Sequence, residues 1–337
     1  MTNSFRFHGR FAAIAAAGLG IAVAALAFVS RDARAQEIVN YGVQPATMPI
    51  YIARELGLLD AIEKKHNIKI EFRNFAYGAP ENQAMAAGEL QIASAGMGPA
   101  IIAAARLPAT LVAITILEQT AILVPRDSTL KSVKDLKGKK VAFPGEGSQQ
   151  YPLLLKALAD AGLKETDISL FKTDGAQIPT LLQSKSVDAG ITWDPHVSNA
   201  LAAGHSRVLI KAEKIMPIMQ GHYIGNGEYV HNDFLAKRPE VVQDLITANV
   251  KAIDFILKDP KGAAKMWAKQ IGFPVNVIDF SLAEGISVYS RNIVPEKSTI
   301  DAYAKFLKDA KILKPDDNPK FNPAFAQKAM VEAGPAK

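Results

Sequence analysis

A glycine-rich bend followed by a proline-containing helix is the stretch best suited to bind a small molecule. A short buried strand leads into the flexible bend Pro144–Ser148, and the helix after it should end at Gly162. Pro152 has no amide hydrogen and belongs in the first helical turn, so the helix should begin between Gln149 and Tyr151. The free amide groups of that turn would bind an acceptor. No Gly-Lys-Ser/Thr follows the glycines, which excludes a nucleotide P-loop.

The same arrangement occurs four times along the chain. A β-rich run, a small polar bend and a proline near a helix start are found around Pro49, Pro99, Pro152 and Pro195. A single bend of this kind is often an ordinary strand-to-helix connection. In a parallel sheet, however, such bends lie at the carboxyl ends of the strands, where α/β proteins bind ligands. Four helix starts facing one crevice would form a site rich in backbone donors.

Strands and helices alternate along most of the chain, which predicts an α/β fold. β-branched and apolar runs predict strands at residues 37–43, 68–72, 90–94, 110–116, 121–124, 140–143, 168–172 and 187–192. The last third is mainly helical, with predicted helices at residues 239–257, 260–270, 275–284 and 299–308. We expect Thr47 to cap the helix that begins near Pro49, and Asp194 to cap the helix after Pro195.

The amino terminus has the pattern of a secretory signal peptide. Two arginines precede the uncharged apolar run Phe11–Val29, and an Ala-Arg-Ala site ends at Ala35. This order predicts a signal at residues 1–35, cleaved before Gln36. Because the apolar run is long for a signal, a retained membrane anchor is the alternative.

The remaining composition is that of a soluble globular protein with room for two domains. The chain has 337 residues, 49% hydrophobic and 21% charged. Its formal charge of +6 includes four basic residues and one acidic residue of the predicted signal, and nothing in the rest indicates a nucleic-acid partner. The absence of cysteine excludes disulfides, a thiol nucleophile and a lipid-anchored cysteine. We therefore expect a free periplasmic protein.

No motif for catalysis, metal binding or a cofactor stands out. The sequence lacks a G-x-S-x-G elbow and an H-E-x-x-H helix. The histidines after the predicted signal show no H-x-x-x-H spacing, so we expect no metal and no cofactor; they are His66, His196, His205, His222 and His231.

Several segments in a fixed order resemble the solute-binding proteins of ABC importers. They include PIYIARELGLL, GELQIASAGMGPAIIAA, LKGKKVAFPGEGSQQYPLLLKALADAGL and ITWDPHVSNALAAG, and the resemblance covers residues 38–322. The group that transports nitrate, sulfonates, taurine and thiamine-pyrimidine precursors is the most similar. The resemblance implies an α/β, bilobal periplasmic-binding-protein fold (type II-like), with two α/β lobes joined by a two-stranded hinge. Lobe 1 would contain residues 36–120 plus 225–337, and lobe 2 residues 121–224.

The resemblance also implies where the solute binds. Carried over to matching positions, the ligand-binding residues are Gln44, Ala95, Gly96, Met97, Glu118, Glu146, Ser148, Gln149, Gln150, Tyr151, Trp193, Asp194 and His222. Trp193 is equally suited to pack between helix and sheet, and Met97 to line the pocket or the core. If Glu118, Glu146 and Asp194 faced the cleft, their carboxylates would repel an anion and favour a solute with N–H donors or a positive end.

The function implied is that of an extracytoplasmic, non-enzymatic solute-binding component. It would capture a small polar organic solute, either of the sulfonate, taurine or nitrate type or nitrogenous and pyrimidine-like, and deliver it as a monomer to the membrane permease. The alternative is an enzyme on the same bilobal fold acting on a small heterocycle or sulfur compound. Enzymes of this kind use cysteine-containing sites, which this chain lacks. A sensory input domain is a third, less favoured hypothesis.

Overall fold

The computed structural model describes residues 36–335, and two five-stranded mixed sheets organise this part of the chain. The predicted signal peptide at residues 1–35 lies outside the described residues. The first sheet has the strand order β2-β1-β3-β10-β4. Its strands are β1 (Glu37–Val43), β2 (Ile68–Asn74), β3 (Ile92–Gly96), β4 (Ala109–Ile116) and β10 (Asn226–His231).

The second sheet is built from the middle of the chain, with the strand order β7-β6-β8-β5-β9. Strand β6 runs parallel to both β7 and β8, whereas β5 is antiparallel to β8 and β9. In the first sheet β1 and β3 are likewise parallel. The strands are β5 (Thr120–Pro125), β6 (Lys140–Phe143), β7 (Ser169–Lys172), β8 (Ala189–Trp193) and β9 (Ser206–Lys211).

Helices cover both sheets and dominate the carboxyl-terminal third. Those up to β10 are α1 (Pro49–Glu55), α2 (Leu58–His66), α3 (Gly78–Ala86), α4 (Met97–Arg106), α5 (Gln150–Asp160), α6 (Ile178–Gln183), α7 (His196–Ala202) and α8 (Ala212–Ile215). The later ones are α9 (Asn232–Lys237), α10 (Pro239–Lys258), α11 (Pro260–Ile271), α12 (Val275–Ala283), α13 (Lys297–Asp309) and α14 (Ala324–Glu332). No helix within residues 36–335 combines the length and hydropathy needed to cross a bilayer.

The long helix α10 shows how the carboxyl-terminal third of the chain packs with the helices of the first sheet. Apolar residues recur on one face of α10, and this face packs against α1, α2 and α14. Trp267 of α11 is fully buried, and its indole N–H donates to the carbonyl of Met48 (2.8 Å). The carboxyl-terminal helices therefore fix the bend between β1 and α1, which belongs to the site described below.

Two short segments carry the chain between the sheets. Residues 117–119 lead from β4 to β5, and residues 216–225 return it from α8 to β10. The amide of Gly225 donates to the carbonyl of Ile116 (2.7 Å), so these two crossings lie side by side. The predicted bilobal α/β fold is thus confirmed.

Three local predictions needed correction. Thr47 does not cap α1, because Met48 is the residue before this helix. The Thr47 hydroxyl instead lies 3.1 Å from that of Ser287. The sequence predicts that Pro99 opens the helix after the third strand, but α4 begins two residues earlier, at Met97. The third strand is displaced by two residues towards the carboxyl terminus, since β3 pairs with both β1 and β10 at Ile92–Gly96.

Candidate functional site

The carboxyl ends of β1, β3, β6 and β8 meet at one small cavity between the two sheets. Its lining residues are Gln44, Tyr77, Gly78, Gly96, Pro99, Gln119, Ser148, Gln149, Gln150 and Trp193. The cavity volume is about 10 Å³, roughly the room for one water molecule. The two halves of the site are therefore closed onto each other.

Gln149 forms the most direct connection across this gap. It precedes α5, and its side-chain oxygen accepts from the amide of Gly98 in α4 (3.4 Å). Its side-chain nitrogen donates to the carbonyl of Ile224 in the second crossing (3.1 Å). Gly96 allows this approach, because a Cβ there would lie 2.8 Å from the Gln149 Oε1.

A second close approach lies beside the first. A Cβ added to Gly147 would lie only 2.4 Å from the Cβ of Ala79 in α3. The Tyr77 ring is the next neighbour, with its Cε2 atom at 3.7 Å. The glycine of the central bend is thus required by packing between the lobes, and its φ lies outside the left-handed region.

A buried polar layer lies behind Gln44. The Gln44 amide donates to Glu81 (2.6 Å), and burial holds the pKa of Glu81 well above its usual range. The Tyr41 hydroxyl donates to Glu228, and burial raises the pKa of Glu228 to about 7. Because Glu81 is fully buried and accepts from the Gln44 amide, it holds Gln44 in one orientation at the cavity wall.

Two buried polar atoms at the cavity have no hydrogen-bond partner within residues 36–335. They are the indole nitrogen of Trp193, a donor, and the side-chain oxygen of Gln119, an acceptor. The Gln119 amide nitrogen donates to Asn226, which leaves its oxygen as the open group. Gln150 is held from behind, since its amide donates to Thr120 (3.3 Å). The site therefore offers one donor and one acceptor to a solute.

Six of the residues predicted from the resemblance lie at the cavity, and they come from all four bends: Gln44, Gly96, Ser148, Gln149, Gln150 and Trp193. Trp193 lines the cavity, and its ring packs edge-on against His196 (5.1 Å between centroids), as the packing alternative predicted. Two small or apolar neighbours, Ala95 and Met97, are buried beside β10 instead of lining the cavity.

The other predicted residues face elsewhere. Glu146 is exposed and paired with Lys172 (2.6 Å), which lowers the pKa of the Glu146 carboxyl. The Tyr151 hydroxyl donates to Glu165 (3.1 Å) on the outer side of α5. Of the three carboxylates considered above, Glu146 is thus an exposed, ion-paired group that does not line the cavity.

Asp194 is fully buried behind Trp193. Its carboxylate accepts from Ser281 (2.6 Å), Ser287 (3.1 Å) and both the amide and the hydroxyl of Ser198. Helix α7 begins one residue later than predicted, so that Pro195 and not Asp194 is the residue before it, but the Asp194 carboxylate still accepts from the Ser198 amide in the first turn. Burial raises the pKa of Asp194 despite these bonds. Because Ser287 also contacts Thr47, Asp194 connects the bend after β8 with the bend after β1.

Glu118 and His222 lie on the two crossings, outside the cavity lining. Glu118 is buried, and burial raises its pKa to about 7. The His222 imidazole Nδ1 lies 3.1 Å from Glu213 in α8. Neither residue contributes to the wall on which the predicted solute would bind.

Sequence reasoning missed four lining residues. Tyr77 and Gly78 follow β2, Pro99 lies in the first turn of α4, and Gln119 lies in the first crossing. The strand-then-bend pattern that identified the other bends also applies to β2 and would have found Tyr77. No local sequence pattern identifies Gln119, because it lies at the cavity only as a result of where the first crossing runs between the sheets.

The sequence matches a described protein family and several named relatives. The family model described as NMT1/THI5 like matches residues 44–263. A protein of Escherichia coli (strain K12) that is provisionally named aliphatic sulfonates-binding is 31% identical over 77% of this chain and 80% of its own length. The taurine-binding periplasmic protein of the same organism is 27% identical over 78% of each chain.

Solved structures share the architecture. The alkanesulfonate-binding protein SsuA from Xanthomonas axonopodis pv. citri, bound to MOPS, has a TM-score of 0.71 and 25% identity over 83% of this chain and 95% of its own. The desulfurization enzyme DSZB has a TM-score of 0.63 at 16% identity, with 88% of this chain and 99% of its own covered. The fold alone therefore accommodates both binding proteins and an enzyme.

Proposed function

Because the chain belongs to the NMT1/THI5-like family, we propose that it is the extracytoplasmic solute-binding component of an ABC importer. It captures a small polar organic solute between two lobes and delivers it to a membrane permease. The observation that carries this proposal is the convergence of four strand ends, two from each sheet, on one cavity. Ligands bind at this edge of α/β sheets, and a site shared by two lobes couples binding to closure.

The lobes follow from the two sheets. We assign residues 36–120 and 225–337 to lobe 1 and residues 121–224 to lobe 2, with the two crossings as the hinge. A cavity of about 10 Å³ is smaller than any organic solute, so the solute enters when the lobes separate about these crossings. Residues 1–35 would direct export as a cleaved signal peptide and leave a free, monomeric periplasmic protein.

A small organosulfonate that also carries an amine fits the lining best. The described residues that line the cavity carry no formal charge, and two helices, α4 and α5, begin there. Helix amino termini and neutral donors stabilise an anionic group without a lysine or arginine. The indole N–H of Trp193 suits a sulfonate oxygen, and the oxygen of Gln119 suits an ammonium or amide N–H. Relatives named for sulfonates and taurine support this solute class.

The lining supports binding and not turnover. Ser148 is the only serine or threonine among the described lining residues, and its hydroxyl donates to the carbonyl of Gly145 (2.7 Å). A serine nucleophile needs an adjacent base, and none of the described residues of the cavity wall is a histidine or carries a carboxylate. The enzyme hypothesis therefore lacks a catalytic group in this cavity.

A solute panel tests the proposal. We expect taurine or a short alkanesulfonate to raise the melting temperature of the purified protein in a concentration-dependent way, with nitrate and a pyrimidine as comparison solutes. Titration calorimetry gives the affinity, and mass spectrometry of the recovered solute distinguishes binding from turnover. A melting temperature unchanged by every solute would contradict the binding function, and a chemically altered solute would support the enzyme.

A further inference from the structure

Three potential metal ligands lie together where the chain crosses between the sheets. Glu118 lies on the first crossing, Glu213 in α8, and His222 on the second crossing. One ligand atom from each residue lies within 4.8 Å of the others. None of the three lines the cavity, so this cluster is separate from the proposed solute site.

Glu118 is a buried carboxylate without a cation. Its side chain is 1% exposed, and it forms no ion pair with the rest of residues 36–335. One oxygen accepts from the amides of Gln119 (3.0 Å) and Thr120 (3.2 Å). The other has only a long contact, 3.4 Å, with the amide of Tyr223. A carboxylate buried in this way is costly unless it remains protonated or a positive charge binds beside it.

His222 and Glu213 supply the open side of the cluster. A tight turn places His222, because its amide donates to the carbonyl of Met219 (2.9 Å) and Gly221 adopts a left-handed φ of 82°. Its Nδ1 lies 3.1 Å from a Glu213 oxygen. The side chains of His222 and Glu213 are 30% and 20% exposed, so an ion reaches them from solvent.

We propose that Glu118, Glu213 and His222 bind one Zn²⁺ ion. One imidazole and two carboxylates are ligands of the type that Zn²⁺ accepts, with water in the fourth position. Mg²⁺ and Ca²⁺ prefer six or more oxygens and do not favour imidazole. The ion takes the place of the direct contact between the His222 imidazole and Glu213, and the lone pair of one ring nitrogen binds it.

The surrounding structure is suited to hold such an ion. The amides of Gln119 and Thr120 orient the Glu118 carboxylate, which is the role of an outer shell around a metal ligand. Because the ligands come from both crossings, the bound ion ties the two connections between the sheets together. It should therefore raise the melting temperature independently of any solute.

Zinc titration of the chelator-treated protein tests this proposal. We expect one Zn²⁺ per chain by competition with a chromogenic chelator, together with a rise in melting temperature that equal Mg²⁺ does not produce. His222→Ala and Glu213→Gln each remove one ligand and should weaken Zn²⁺ binding at least tenfold. Both side chains are partly exposed, so these variants are expected to fold, which circular dichroism verifies.

His205→Ala is the matched control, because His205 is an exposed histidine hydrogen-bonded to Gln183 (3.2 Å). This variant should keep the affinity of the unaltered protein. Loss of Zn²⁺ in both ligand variants but not in the control supports the site. Absence of stoichiometric binding, or an affinity that His222→Ala leaves unchanged, would overturn it.

Discussion

Replacing Gly147 with alanine should keep the two lobes from closing fully. The new Cβ would lie 2.4 Å from the Ala79 Cβ, whereas ordinary contact begins at 3.4 Å, so the lobes must separate by about 1 Å locally. Adding a methyl group to a packed contact costs about 1–3 kcal/mol. If closure accompanies solute binding, the affinity should fall by roughly 5- to 150-fold, because 1.4 kcal/mol corresponds to tenfold.

A compensating substitution provides the control. Ala79→Gly removes the atom that the new methyl group would meet, and the next neighbours, the Ala79 Cα and the Tyr77 Cε2, lie at 3.7 Å. The double variant Gly147→Ala/Ala79→Gly should therefore recover most of the lost affinity. Ala79→Gly alone should cost less than about 1 kcal/mol of folding stability, since Ala79 lies in the first turn of α3.

Calorimetry with the sulfonate that stabilises the protein most measures these affinities. Small-angle scattering of the solute-saturated proteins would show whether Gly147→Ala remains more extended than the unaltered chain. Unchanged affinity of the single variant would refute the argument that this contact forms on binding. A double variant no better than the single one would show that Ala79 is not the obstacle.

Three further predictions concern buried groups. Asp194→Ala leaves buried serine hydroxyls without their acceptor and should lower the free energy of unfolding by about 2–5 kcal/mol in urea titrations. Asp194→Asn should cause a smaller loss, and an unaltered midpoint of urea unfolding for Asp194→Ala would contradict this prediction. Burial lowers the pKa of His196 to about 4, so its contribution to the free energy of unfolding should fall by up to about 3 kcal/mol between pH 6.5 and pH 4. His196→Phe should remove this part of the pH dependence, which is measured as the difference in the free energy of unfolding between the two proteins. Gln149→Ala removes two hydrogen bonds across the gap and should weaken sulfonate binding about tenfold, whereas Gln183→Ala on α6 should not.

The strand and the helix start of the central bend could be predicted because local residues determine them. Strand β6 occupies the predicted residues 140–143, and α5 begins at Gln150, inside the predicted interval. Proline restricts a helix to begin nearby, and glycine permits the bend before it. Both effects act within a few residues, so a single sequence contains them.

The direction of each side chain could not be predicted in the same way. Gln150 lines the cavity, but its neighbour Tyr151 faces Glu165, because successive residues of a helix differ by about 100° in direction. The phase of α5 is set by packing against the sheet, which involves distant residues. The resemblance indicates where the bend lies but not the direction of each of its side chains. Glu146 is therefore among the predicted ligand-binding residues although it does not line the cavity.

Contacts between distant segments were the least accessible from sequence. An H-x-x-x-H search detects ligands on one helix, whereas Glu118, Glu213 and His222 come from two crossings and a short helix. Gln119 likewise reaches the cavity only because the crossings lie side by side. Both features depend on how the two sheets are connected, and no local pattern encodes that connection.

The closed cavity also explains how a site of neutral residues could select its solute. None of the described lining residues carries a formal charge, and the Gln149 bonds to Gly98 and Ile224 hold the closed site together across the gap. The net gain then comes from atoms that closure leaves unsatisfied, namely the Trp193 N–H and the Gln119 oxygen. A solute with only acceptors satisfies one of them, and a solute with only donors satisfies the other. A molecule with both groups gains from both, which favours an aminosulfonate over nitrate in the same closed site.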